Sequence, residues 1–101
     1  MPKIFEYLGI LFFFYSNEHA PIHVHARKGE FESKAEFTIL GEEIVSIRIT
    51  NVRGREPLSG NELKDLKVFL ENYAEEIVNK WKDYFFQGKT VKFERITKRI
   101  R

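Results

Sequence analysis

Between Asn51 and Leu63 the spacing of apolar residues changes from two positions to about 3.6, which limits the chain to folds that join a sheet to a helix. Upstream, FESKAEFTI alternates. Phe31, Ala35, Phe37 and Ile39 point one way, with small Ser33 on their side, while Glu32, Lys34, Glu36 and Thr38 point the other. Downstream, Leu63, Leu66, Leu70, Tyr73, Ile77, Trp81 and Tyr84 recur at spacings of three and four, drawing one apolar stripe along a helix. A stripe and a half-apolar sheet each need the other as cover. The expected architecture is α+β: a small antiparallel meander packed against one long helix, with a short C-terminal strand.

Around these two patterns the other elements fall into place. LGILFFFY, Leu8 to Tyr15, reads as a buried strand, and NEHAP as a turn in which Pro21 holds Ala20 extended. IHVHA reads as a second strand ended at Gly29, and FESKAEFTI as a third. After a turn at Gly41, EIVSIRIT reads as a fourth strand with Val45, Ile47 and Ile49 on one face. NVRGREPL is the longest polar connection. Ser59 and Glu62 then have capping-box spacing, with Leu58 and Leu63 as a hydrophobic staple. A helix from there to Gly88 would be about 40 Å long at ~1.5 Å per residue, so it must bend or project. TVKFERIT resumes alternation as a last short strand or edge segment.

The 101 residues suit a single domain, 1–101, with one core. Ten phenylalanines against one Met and one Trp favour a rigid core. The absence of cysteine excludes disulfides, thiolate nucleophiles and thiolate zinc sites, and fits a cytoplasmic location. Leu8–Tyr15 is far short of the ~20 apolar residues of a membrane span, and Glu6 with SNEHAP makes a poor export signal. No membrane association is expected.

Net charge is +2, unevenly spread. Residues 1–50 carry five basic and seven acidic side chains, and residues 51–101 carry twelve and eight. Most of the excess sits in Lys89, Lys92, Arg95, Lys98, Arg99 and Arg101, opposed only by Glu94. Such a tail can attract nucleic acid or an acidic partner, or simply be a solvated end.

All three histidines, His19, His23 and His25, lie in YSNEHAPIHVHA. On a strand, His23 and His25 share a face, and His19 can fold back across the Pro21 turn. Neutral imidazoles converging in this way suit a divalent metal such as zinc, with Glu18 or Glu30 as a carboxylate ligand. Without metal, a histidine pair supplies a base and an acid for phosphodiester or nucleotide chemistry, with Arg27 or Lys28 holding phosphate. The third alternative is polar packing on a sheet surface. Two familiar motifs fail. A cupin needs a further histidine ligand, and none follows His25. The histidine-triad hydrolase pattern is broken at Arg27. With no aspartate before Asp65, a carboxylate-rich two-metal nuclease centre has only glutamates to draw on.

The opening segment nevertheless resembles a family. Met1, Pro2, Ile4, Gly9, Asn17, Glu18, His19, Pro21, His23, His25 and Ala26 fit the MP-x-I start and NEHxPxHxHA-like signature of domain of unknown function 4160, a group of short prokaryotic proteins. NKWKDYF and VKFERITKRI extend the likeness over nearly the whole chain; Ile22 and Val24 depart mildly from the Pro and Phe many relatives carry there. The resemblance carries no established activity. It implies a small cytoplasmic protein, often encoded beside another short protein, as toxin-antitoxin or regulatory pairs are. It also places Asn17, Glu18, His19, His23 and His25 in a recurring signature.

Two main functions follow as expectations. One is a binding or regulatory module that docks a small partner protein or a second copy of itself, as in a toxin-antitoxin-like pair. The other is an enzyme acting on RNA, nucleotides or another phosphodiester, with His23 and His25 as acid, base or metal ligands, His19 assisting, and Asn17, Glu18, Arg27 and Lys28 as binding groups. Nucleic-acid binding through the basic tail is a third, and its discriminator is salt dependence.

Overall fold

The computed structural model describes residues 2–15 and 21–100. Six strands form one sheet in the order β5-β4-β3-β2-β1-β6, comprising β1 (Lys3–Tyr7), β2 (Ile10–Phe13), β3 (His23–Lys28), β4 (Phe31–Leu40), β5 (Glu43–Asn51) and β6 (Glu94–Ile96). The first five make the expected antiparallel meander, and β6 adds to β1 in parallel, Phe5 opposite Glu94 and Tyr7 opposite Ile96. One helix, α1 (Gly60–Phe85), covers one face of the sheet, so the fold is α+β. Among the described residues no helix is long and apolar enough to cross a membrane.

The strand expected over Leu8–Tyr15 shortens to β2, and β1, which the apolar pattern did not mark, precedes it. Leu8 and Gly9 both take positive φ, 49° and 84°, and turn the chain between Tyr7 and its partner Ile10. Two consecutive residues in this conformation make the primed turn that matches strand twist. Leucine is an uncommon occupant of that position, and the continuous apolar run on either side hides the reversal. A second departure lies in β5. A bulge between Thr38 and Ile39 sets Ile39 opposite Ile44, so Ile44 joins Ile47 and Ile49 against the core and Val45 is left half-exposed.

The helix buries Leu66, Phe69, Leu70, Ile77, Val78 and Trp81. Phe69 is the hub of the aromatic core: its ring lies 4.5 Å from Phe12, 5.2 Å from Tyr7, 5.3 Å from Phe5 and 4.5 Å from Tyr73. The expected bend is at Tyr73, whose φ −121°, ψ 15° are not helical. A straight helix of 26 residues would exceed the 34 Å longest extent of the molecule, and the bend keeps both halves on the sheet. Ser59 is the N-cap residue but its side chain makes no capping hydrogen bond, so the capping box does not form. At the other end the helix stops at Phe85, with Gly88 at φ 63° and the Lys89 amide donating to the Asp83 carbonyl.

The basic C-terminal segment lies along the β1 edge. Arg95 Nε donates to Glu6 at 3.1 Å, Arg99 to Asp65 at 3.1 Å, and the Ile100 amide to the Tyr7 hydroxyl at 3.0 Å. Lys80 pairs with Glu94 at 2.8 Å. That partner holds the Glu94 carboxyl below the usual carboxylate range.

Candidate histidine site

Alternation along β3 sends Val24, Ala26 and Lys28 towards the helix side and His23, His25 and Arg27 to the opposite face. Cross-strand pairing builds this second face. Phe13 of β2 stands opposite His25, which faces Lys34 of β4, and Arg27 faces Glu32. Phe13 is fully buried yet lies outside the cluster packed against the helix. The molecule therefore has a small second core, and its centre is polar.

That centre is Glu32, which is 0% exposed, beside His25 at 3% and His23 at 5%. His25 Nδ1 is 3.0 Å from Glu32 Oε2, and His23 Nδ1 is 2.7 Å from the Pro21 carbonyl oxygen. Both acceptors lack hydrogen when Glu32 is ionised, so each ring donates through Nδ1. In the neutral imidazole the lone pair then resides on Nε2. The two rings lie 5.3 Å apart at 71°. His25 is further fixed by Phe13, stacked at 5.5 Å, and by the Tyr15 ring edge-on at 4.4 Å.

Cations and a phenol complete the surroundings of the carboxylate. Arg55 Nε is 3.8 Å from Glu32 Oε1, and the Tyr15 hydroxyl donates over a long 3.4 Å to Oε2. Burial, with the Glu32 charge second, raises the Tyr15 phenol above its ordinary value. Among the described residues Glu32 Oε1 has no hydrogen-bond partner. Leaving a buried acceptor unsatisfied typically costs about 1–3 kcal/mol. Arg27 lies over the Phe13 ring at 5.8 Å.

The sequence candidates separate clearly. His23, His25 and Arg27 share this face. Lys28 does not join them: its ammonium donates to the Leu8 carbonyl at 3.1 Å and packs against Gly9, bracing the β1–β2 turn. Glu30 is exposed in the β3–β4 turn. Asn17, Glu18 and His19 lie outside the described residues. Among the described residues no three metal-type ligands gather in one place.

Glu32 was placed by alternation on the solvated face of β4, and burial overturns that expectation. The signal was nonetheless in the sequence. A tight turn at Gly29–Glu30 pairs Lys28 with Phe31 and Arg27 with Glu32, making Glu32 the diagonal neighbour of His25. Arg55 was unforeseeable from pattern, since it comes from the polar connection after β5. That connection folds back on β4: the Glu32 amide donates to the Glu56 carbonyl at 2.9 Å and the Leu58 amide to Ser33 Oγ at 3.0 Å.

The family model described as "Domain of unknown function (DUF4160)" matches residues 9–82, including β3, β4 and most of the helix. The chain belongs to this family. Nothing among the curated proteins and nothing among the solved structures matches it. Membership of DUF4160 assigns no activity, so the chemistry has to be argued from the side chains themselves.

Proposed function

We propose that the second face of the sheet is a divalent-metal site serving hydrolysis or transfer at a phosphodiester, with His23 and His25 as Nε2 ligands. The observation that carries this reading is the buried His25–Glu32 pair at 3.0 Å. A carboxylate that accepts the Nδ1 proton of an imidazole fixes the tautomer and makes Nε2 the more basic, metal-directed nitrogen. The Pro21 carbonyl does the same for His23. The two rings lie 5.3 Å apart, near enough for one ion to meet both. Burial favours an ion over direct attack by the histidines on a bulky substrate, because imidazoles 3–5% exposed are reached by small species first. Arg27 and Arg55 supply positive charge beside the site, as an anionic ester requires.

The test is metal analysis of untagged protein, with zinc and cobalt titrations and hydrolysis assays on bis(nitrophenyl) phosphate and a short RNA. About one metal per chain is expected in the wild type, lost together with hydrolysis in His23→Ala/His25→Ala. In Glu32→Gln, metal affinity should fall about 10- to 100-fold. Metal-free wild type with hydrolysis unchanged by the double substitution would end the proposal. Docking of a small partner, as in a toxin-antitoxin-like pair, is the second reading. It is favoured by a different surface, the outer edge of β5.

A further inference from the structure

β5 is an edge strand nine residues long, and among the described residues nothing pairs with its outer side. Natural proteins usually shorten, cover or charge such an edge, because its unpaired amides and carbonyls invite another strand. Here a groove runs beside it. The second half of α1, redirected at Tyr73, leaves a hollow of about 1030 Å³ between itself and the β4–β5 hairpin. Its floor is apolar: Ile44 and Ile47 are only partly buried, facing Ala74 and Val78 across the gap. A smaller hollow of about 410 Å³ continues past Ile49 towards Leu70. The apolar floor thus follows the strand, as an added strand with alternating side chains would need.

Charge decides what fits. The larger hollow is rimmed by Glu42, Glu43, Glu71, Glu75 and Glu76 against a single lysine, Lys82. None of these five glutamates has an ion-pair partner among the described residues. A second copy entering through its own β5 would bring the same glutamates to the same rim, where like charges repel. The chain's own basic segment is held at the opposite edge of the sheet through Arg95 and Arg99.

We infer that the β5 edge and its acidic groove dock an extended segment of a partner protein that carries both apolar residues and lysine or arginine on its groove-facing side. The backbone of that segment pairs with β5, its apolar side chains cover Ile44, Ile47 and Ile49, and its cations on the same side meet the glutamate rim. This inference does not depend on the histidine site, which faces the other side of the sheet.

The experiment is an NMR titration of the full chain with an eight-residue peptide of repeating Lys-Lys-Val-Val, whose every face carries both residue types, beside a twin with glutamate in place of lysine. The lysine peptide is expected to shift the amide signals of residues 44–49, slow their hydrogen exchange and bind more tightly at low salt. Glu43→Lys/Glu75→Lys, both exposed positions, should weaken it about tenfold or more. Equal binding of the two peptides, or no change at β5, overturns the inference. So does concentration-dependent dimerisation with exchange protection at β5, which would assign the edge to a second copy.

Discussion

The two faces of this sheet bury side chains to a similar degree and for opposite purposes. On the helix side Phe5, Phe12, Phe69 and Tyr73 meet ring to ring, and every contact improves as more water is excluded. On the far side a carboxylate and two imidazoles are buried beside a partly exposed phenol, and exclusion of water works against the charge. A buried charge is weak support for stability, since its desolvation can exceed the attraction of its partners. The helix side therefore holds the fold, and the histidine side adds little to it.

Truncation at the aromatic hub should have the largest effect on folding. Phe69→Ala removes the ring shared by four neighbours and is expected to cost about 3–5 kcal/mol in urea unfolding, leaving metal stoichiometry in the folded fraction unchanged. On the other face, His25→Ala strands the Glu32 charge and should cost about 3 kcal/mol. Replacing both, His25→Phe/Glu32→Met, should restore or exceed wild-type stability while abolishing metal binding. If the double variant is as unstable as the single, the contrast between the faces fails.

A subtler difference lies in titration. The Tyr15 phenol is raised by burial and by Glu32, so its protonated form favours the fold. That contribution is complete below the ordinary value of 10.0 and is lost as pH rises through the raised one. The ultraviolet titration of Tyr15, taken as the difference between wild type and Tyr15→Phe, should run late and shift back towards the ordinary value in Glu32→Gln. The smallest effect belongs to Glu94, depressed by Lys80 at the outer edge of the sheet. Its stabilisation is present above the ordinary carboxylate value and fades as pH falls through the depressed one. Since the Glu94 side chain is 42% exposed, Glu94→Gln should alter acid stability only slightly and lose even that in high salt.

The helix and the meander were legible because each has its own period. Leu66, Leu70, Ile77 and Trp81 recur at helical spacing and are buried, and length alone left a bend or a projecting end, of which the bend at Tyr73 is the outcome. Less legible was whatever depends on pairing across strands. Phe31 belongs to the apolar side of β4 by alternation yet is 45% exposed, because it stands at the start of the strand beyond the helix's cover. Glu32 looks solvated until register brings His25 and Arg55 to it. His23 and His25 were found by clustering, but the Nδ1 contacts that direct their Nε2 atoms involve a carbonyl and a carboxylate that no spacing rule names.

The parallel pairing of β6 with β1 carries a kinetic consequence. Glu6 and Arg95 are 89 positions apart, so this edge closes only after the residues between them have been synthesised. The meander through β5 is built from neighbours in sequence and can form earlier, with β1 temporarily an outer strand. Until β6 arrives, the order of assembly leaves β1, the strand carrying Phe5 and Tyr7, open to mispairing with another nascent chain.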